Sequence, residues 1–244
     1  MRKDTPKLFE PSENILSGFL NAYTELINQA KQNVAISGEF HKKYHKFLIN
    51  LSKKGWYING LTSVLEVPKI IPFLKKPDAT ELNSLMIQYI KSDYKELKKS
   101  TLETFPNKKS ILEKGFLSFE KKQYGHSILI FLTQTDSICK QITGVRMFGR
   151  NKNESKTKEF TTKYYNETSF ISAVLQPLSD YGEINKAEAN YIPGEFNRHR
   201  IIHGEDTEYD TETNGYKMIS LIFYLTTIII KAKEWAQEPT NLLL

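Results

Sequence analysis

The sequence predicts an all-α protein, a helical bundle with an additional helical unit before it. Apolar residues recur at three- and four-residue steps over several long stretches, which is the period of an amphipathic helix. Glycines and prolines interrupt these stretches where a helix would have to end. No segment alternates apolar and polar residues as a half-buried strand does, so we expect a mainly helical fold.

The composition is that of a folded protein. The chain has 244 residues, 39% hydrophobic and 25% charged, which suits one large domain or two modest ones. Only one cysteine, Cys139, is present, so neither an intrachain disulfide nor a thiolate metal cluster can form. Because no apolar stretch follows the basic N-terminus, we expect no targeting segment and a cytoplasmic location.

The charge and hydropathy of the sequence restrict the partners that the protein can bind. The most apolar window, Met218 to Ile230, is shorter than the roughly 20 residues that a membrane-spanning helix needs, so we expect a core or dimer helix and no membrane partner. The net charge of +6 favours encounter with nucleic-acid backbones. Lysine supplies most of it, and lysines often do no more than keep a surface solvated.

We assign residues 1–104 to an N-terminal helical region. A first helix is predicted from Ser12 to about Asn33, and a second from Ser37 to about Lys54, where Gly55 stops it. The following segment cannot hold a long uninterrupted helix because it contains three prolines. These are Pro68, Pro72 and Pro77.

A further long helix is predicted from about Ala79 to Ser100. Asp78 and Glu81 have the spacing of a capping-box-like start. An apolar stripe runs through Leu82 to Ile90, and the charged stretch Lys91 to Lys99 is expected to face water.

Residues 105–244 are assigned to a second helical unit. It begins at Phe105 and Pro106, after which amphipathic helices are predicted over Ser110 to Tyr124 and Gly125 to Ile142. The boundary rests on this break in the helical pattern.

The rest of this unit alternates loops and helices. Gly149 to Lys158 is rich in lysine and is predicted to be a surface loop, and helical character resumes near Thr168 to Leu178. A short segment, Glu195 to His203, ends at a glycine and precedes an acidic loop. A long apolar helix is predicted from about Asn214 to Glu238.

The segment from Asn197 to Gly204 concentrates the residues that can do chemistry. It holds Arg198, His199, Arg200 and His203. An arginine binds a phosphate through a planar fork of donors, and a histidine can give or take a proton near neutral pH. Together these capacities suit the cleavage of a phosphodiester.

The spacing of Arg198 and His203 predicts a homodimer. They are five positions apart, about 140° around an ideal helix, so from one chain they should not converge on one substrate atom. If two copies pack around the long apolar helix by two-fold symmetry, their segments face each other and form one composite basic cleft.

The sequence Arg198-His199, then three residues, then His203, resembles the signature of the HEPN superfamily: arginine, a polar residue often Asn or His, three residues, histidine. The resemblance covers roughly Phe105 to Glu238. It implies an all-helical bundle with the motif before the last long helix. Many such proteins are metal-independent endoribonucleases, often toxins or effectors of antiviral defence, and others are inactive dimerisation or nucleotide-binding modules.

The resemblance also implies roles for individual residues. His203 would be the general base or acid for attack by the ribose 2′-hydroxyl, Arg198 would stabilise the developing charge, and His199 would assist. The products would carry 2′,3′-cyclic phosphates. No cofactor or metal is expected, and the partners would be RNA, a second copy, and a cognate antitoxin or defence partner. Some relatives have a tyrosine two residues after the histidine, where this chain has Glu205.

Three residues are expected to support the site: Asn197, Arg200 and Asp136. Asp136 shares a predicted helical face with Leu132 and Cys139, which turns its carboxylate toward the interior. It could orient His203 or Arg198, or only satisfy backbone groups or a lysine.

Other readings stay open. His41 and His45 are four residues apart and could bind a metal. His199 and His203 have the same spacing, and Glu195 or Asp206 could complete this second pair as in a metal-dependent hydrolase.

Two further features could contact RNA. The lysine-rich loop could follow an RNA backbone, although surface solvation explains its lysines as well. Trp56 and Tyr57 could stack on a base, although core packing explains these rings as well. The rival from another class is a non-catalytic helical dimer that binds RNA, a nucleotide or a protein partner.

Overall fold

The computed structural model of the protein describes residues 34–59, 66–151, 154–163, 175–178 and 195–230. The helix predicted from Ser12 to about Asn33 lies outside these residues, as does most of the helical stretch predicted near Thr168 to Leu178.

The described residues are mostly helical, which confirms the predicted class. The helices are α1 (Val34–Ser52), α2 (Val67–Leu74), α3 (Thr80–Thr104), α4 (Lys109–Glu120), α5 (Tyr124–Thr143), α6 (Lys156–Thr162), α7 (Arg198–His203) and α8 (Glu212–Phe223), which continues as a π-helix over Tyr224–Ile229. Short 3₁₀ turns span Pro106–Lys108 and Gln176–Leu178. Two strands, β1 (Arg150–Asn151) and β2 (Glu154–Ser155), pair antiparallel.

Glycines end helices where the sequence predicted. Gly55 lies just beyond α1 with φ 78°, and Gly144 follows α5 with φ 83°, both in the left-handed region that a residue without Cβ enters at little cost. Pro72 lies inside α2, which is accordingly short, and Pro106 opens the turn that separates α3 from α4.

Helix α3 begins within one residue of the predicted start, but the predicted capping-box interaction is wrong. The Asp78 carboxylate accepts hydrogen bonds from the Thr80 backbone N–H at 3.0 Å and from its hydroxyl at 2.7 Å. Glu81 does not return to the helix start as a capping box requires, because its carboxylate binds the Lys76 ammonium at 2.7 Å.

The stretch predicted as a surface loop over Gly149 to Lys158 is also partly structured. It contains the β1–β2 hairpin and the first turn of α6. The Ser155 hydroxyl caps α6 by accepting from the Lys158 N–H at 3.1 Å.

The core is organised around the ring of Phe116 on α4. Its centroid lies 4.9 Å from that of Phe131 on α5, 6.1 Å from Phe223 on α8 and 6.1 Å from Tyr94 on α3. Four helices therefore meet at one aromatic side chain. The stretch predicted to face water, Lys91 to Lys99, contributes Tyr94 to this cluster and the fully buried Leu97 to the core.

Helix α8 is the central helix of the bundle. Every residue from 214 to 230 is buried within one chain, so this stretch presents no free surface to a second copy, and the predicted homodimer stays a prediction. A helix that is apolar on all sides is typical of a core position.

Residues on both sides of the predicted boundary at 104/105 contribute to one continuous hydrophobic core. The Tyr57 N–H donates to the Ser220 hydroxyl at 3.3 Å, and the hydroxyls of Thr101 and Thr226 are 3.0 Å apart. The division into two units stays a prediction, but both α3 and α5 pack on α8.

Trp56 and Tyr57 are core residues. Trp56 is fully buried, and its indole N–H donates to the Asn83 side-chain oxygen at 2.9 Å. The ring of Tyr57 packs against Tyr224 at 5.3 Å. Because both rings are enclosed, neither offers a face for a nucleic-acid base.

Cys139 on α5 is fully buried, and burial raises the pKa of its thiol to about 12. Among the helices that the structure describes, none combines the length and apolar character needed to cross a membrane.

We expect Gly115→Ala to destabilise the protein, although alanine is the better helix former. A Cβ at this position would lie 2.8 Å from ring atoms of Phe131, which is fully buried and cannot move aside. The free energy of unfolding in urea should fall by about 1–3 kcal/mol, as in other overpacked cores. Lys114→Ala, at the exposed neighbouring position, is the control and should change it by less than about 0.5 kcal/mol. A more stable Gly115→Ala variant would contradict this packing.

Candidate functional site

The segment singled out from the sequence forms the short helix α7, which is capped at both ends. The buried Asn197 side chain accepts a hydrogen bond from the Arg200 backbone N–H at 3.3 Å. At the other end Gly204 adopts φ 71°, and the Glu205 N–H returns to the Arg200 carbonyl at 2.8 Å. Asn197 therefore supports the site by starting the helix.

One side of α7 anchors it to the core. Phe196, immediately before the cap, and Ile201, one turn into the helix, occupy the positions of a hydrophobic staple, and both are buried. The other side stays accessible: His199, Ile202 and His203 are all exposed.

The two histidines form a pair on this accessible side. They are one helical turn apart, and their ring centroids are separated by 4.4 Å with an interplanar angle of 56°. Within the part of the chain that the structure describes, neither imidazole forms a hydrogen bond. Both rings are therefore available to a ligand or to a second chain.

Arg198 is half-buried against an aromatic ring. The centre of its guanidinium lies 4.4 Å from the centroid of Phe148, a cation–π contact. Its Nε–H is buried and has no hydrogen-bond partner among the described residues. Desolvation lowers the pKa of the guanidinium, and the charge of Asp136 opposes this shift. The arginine nevertheless stays charged at neutral pH.

Asp136 lies on α5 and fixes the segment that carries Phe148. Its two oxygens accept from the Arg146 guanidinium at 2.9 Å and from the Phe148 backbone N–H at 3.1 Å. The carboxylate thus forms no hydrogen bond to Arg198 or His203. It acts on Arg198 through its charge and through the ring that it holds in place.

Arg200 lies on α7, between the two histidines in the sequence. Its Nε lies 3.8 Å from the Glu205 carboxylate in a partly exposed ion pair. Its backbone N–H and carbonyl take part in the two caps of α7. Like Asn197, it therefore supports the site by fixing the ends of this helix.

Two further residues, Phe148 and Arg146, belong to the site and were not predicted. Both lie about fifty residues before α7 in the sequence, and α5 brings them to Arg198. No local pattern in the sequence marks this long-range contact.

The alternative prediction of a metal site has no cluster of ligands among the described residues. Among the described residues, no three His, Cys, Asp or Glu side chains lie together as a metal site would require. Asp206 is buried, and its carboxylate accepts from the Glu208 N–H at 2.8 Å, so it opens the acidic loop. Of the other pair, only His45 has a described side chain.

Comparison with protein-family models, with curated proteins and with solved structures found no match to this chain.

We expect Asp136→Ala to loosen the segment that holds Arg198. The change leaves the Phe148 N–H and the Arg146 guanidinium without their acceptor, and the free energy of unfolding should fall by about 1–3 kcal/mol. Asp136→Asn keeps one acceptor oxygen and should cost less. Chemical denaturation of both variants measures the difference. Equal losses in the two variants would show that the hydrogen bond to Phe148 contributes little.

Proposed function

We propose that this chain is a metal-independent endoribonuclease of the HEPN type that acts as a homodimer. One observation carries the proposal. A charged arginine, Arg198, has a buried donor without a hydrogen-bond partner among the described residues, and it is held on the same short helix as two exposed imidazoles, His199 and His203. An unsatisfied cationic donor is suited to a phosphate oxygen, and an accessible imidazole to proton transfer.

The chemistry follows from these groups. His203 takes the proton of the ribose 2′-hydroxyl, whose oxygen attacks the adjacent phosphorus. Arg198 binds a non-bridging phosphate oxygen and stabilises the charge that develops there, an effect strengthened by its partial desolvation. As the bond to the 5′-oxygen breaks, a protonated imidazole, that of His199 or of a second chain, protonates the leaving oxygen. The products are a 2′,3′-cyclic phosphate and a 5′-hydroxyl.

A second copy is part of the proposal. Arg198 lies against Phe148 on the protein side of α7, whereas the two histidines lie on the accessible side, with the exposed Ile202 next to them. Ile202 is 43% exposed and offers an apolar contact at this face. We place the two-fold axis at this face of α7, where each chain would add its histidines to the other's phosphate. The resemblance in the motif makes a toxin or antiviral-defence effector the expected biological role.

The rival function is a non-catalytic dimer that binds RNA, a nucleotide or a protein partner through the same residues. It is favoured by the lack of an orienting hydrogen bond on His199 and His203 among the described residues. General bases in enzymes are usually held by a third group. In the enzyme, that group would have to come from the second chain or the substrate.

Mixed cellular RNA incubated with the full chain in EDTA should be cut to fragments with 2′,3′-cyclic phosphate ends, because no metal takes part in the step. Arg198→Ala and His203→Ala should each lower the rate by at least about 100-fold, the range for losing a charge-stabilising donor or a general base. His203→Ala should still bind RNA.

The matched control is His126→Ala, since His126 is exposed on α5 well before Asp136. It should cleave as the wild type does. RNA binding without cleavage by the wild type would favour the rival, and cleavage that His203→Ala leaves intact would overturn the assignment.

Ile202→Glu should convert the dimer to a monomer and abolish cleavage, because it places two charges against each other at the proposed axis. Leu117→Glu is the control, since Leu117 is 50% exposed on α4 and lies outside this face. Light scattering coupled to size-exclusion chromatography gives the mass of each variant. A wild-type monomer that cleaves RNA would contradict the composite site.

A further inference from the structure

We propose that Arg146, Arg150 and Lys156 form a basic strip that binds the RNA backbone beyond the scissile phosphate. The inference rests on the proposed function and assigns a second contact surface to the same substrate. Arg146 and Arg150 lie on the segment that carries Phe148, Lys156 begins α6, and none of them belongs to the motif on α7.

The strip is joined to the site through Phe148. This residue carries the guanidinium of Arg198 on its ring, and its N–H is held by Asp136, which also binds Arg146. Arg146 and Arg198 are therefore connected through one small cluster, made of Asp136 and Phe148. We infer that a nucleic-acid strand with a phosphate at Arg198 runs on toward Arg146.

Gly149 lies next to two residues of the strip. A Cβ at this position would lie 3.1 Å from the side-chain Cδ of Lys156 and 3.4 Å from the Cβ of Arg146, so the Lys156 side chain passes close to the glycine, near the base of Arg146. The backbone fixes the arrangement, because the Lys156 N–H donates to the Gly149 carbonyl at 2.9 Å. Arg150 pairs with Ser155 in the hairpin, directly before Lys156.

The charged groups of the strip are accessible. The Arg146 side chain is 62% exposed although one of its nitrogens binds Asp136, and Arg150 and Lys156 are exposed as well. An exposed cation gains little from an ion pair within the protein, whereas several cations spaced along one surface attract a polyanion. Glu154 precedes Lys156 on β2, and Glu159 follows it on α6.

The lysines between α3 and α4 provide a contrast. They line a cavity of about 270 Å³. Three of the four are within ion-pair distance of glutamates: Lys98 with Glu120 at 2.7 Å, Lys99 with Glu103 and Lys109 with Glu113, both at 3.9 Å. Three glutamates lie beside the four lysines, so the net positive charge of this surface is small and it serves as the control.

Phosphate contacts position a strand without reading its sequence, so the strip should contribute to affinity for any single-stranded RNA of sufficient length. It should contribute nothing to the binding of a dinucleotide, whose one phosphate lies at Arg198. This difference in length dependence separates the strip from a general effect of net charge.

The test compares Arg150→Ala/Lys156→Ala with Lys95→Ala/Lys109→Ala, which removes the same charge from the cavity between α3 and α4. The probe is a 12-nucleotide 2′-O-methyl RNA, which cannot be cleaved because its nucleophile is blocked. We expect the strip variant to bind about tenfold more weakly and the slope of log Kd against log salt to fall by about 1.4, or about 0.7 for each lost phosphate contact. The control variant should match the wild type. In cleavage assays the strip variant should have a raised KM on long RNA, with kcat and dinucleotide cleavage unchanged.

The experiment distinguishes failure of the strip from failure of the proposed function. If the wild type cleaves RNA but both double variants bind and cleave alike, the strip is wrong and the proposed function stands. Should the wild type neither bind the 12-mer nor cleave RNA, the proposed function and the strip fall together.

Discussion

The burial of Phe116 among Phe131, Phe223 and Tyr94 is the contact on which the rest of the structure depends. Each of these rings comes from a different helix, so one interaction sets how α3, α4, α5 and α8 approach one another. Burying such a ring stabilises a fold by a few kcal/mol, and interlocking rings leave little freedom to shift. Because α5 is fixed in this way, the carboxylate of Asp136 has a defined place from which to hold the segment beneath Arg198.

Much of the fold could be predicted because each helix carries its own signals. The periodic apolar stripe and the glycine or proline at its end are local features, and α1, α3, α4 and α5 were placed to within a few residues. The errors arose where the outcome depends on distant residues. Tyr94 and Leu97 lie in a lysine-rich stretch that looked solvated, and only the position of α4 shows that they are buried. Strands of two residues, as in the hairpin, are too short to have a period.

The candidate site was predictable to the same extent. Asn197 and Gly204 mark the two ends of α7, and the sequence shows both because helix caps follow local residue preferences. The surroundings of Arg198 could not be predicted, because tertiary packing brings Phe148 to it. The position of a second chain could not be predicted for a related reason. The apolar residues of α8 indicate burial but cannot tell whether another copy or the same chain covers them, and here the same chain covers residues 214–230.

The burial of Cys139 makes the protein suitable for labelling at a cysteine introduced elsewhere. The one thiol of the chain is fully buried, and a pKa raised to about 12 keeps it protonated at neutral pH, so neither oxidants nor maleimides should react with it in the folded state. A cysteine introduced at the surface would then be the only reactive one. Fluorophores or spin labels could be attached beside α7 or on the hairpin of the native background, and distances between two copies could be measured without first removing a natural thiol.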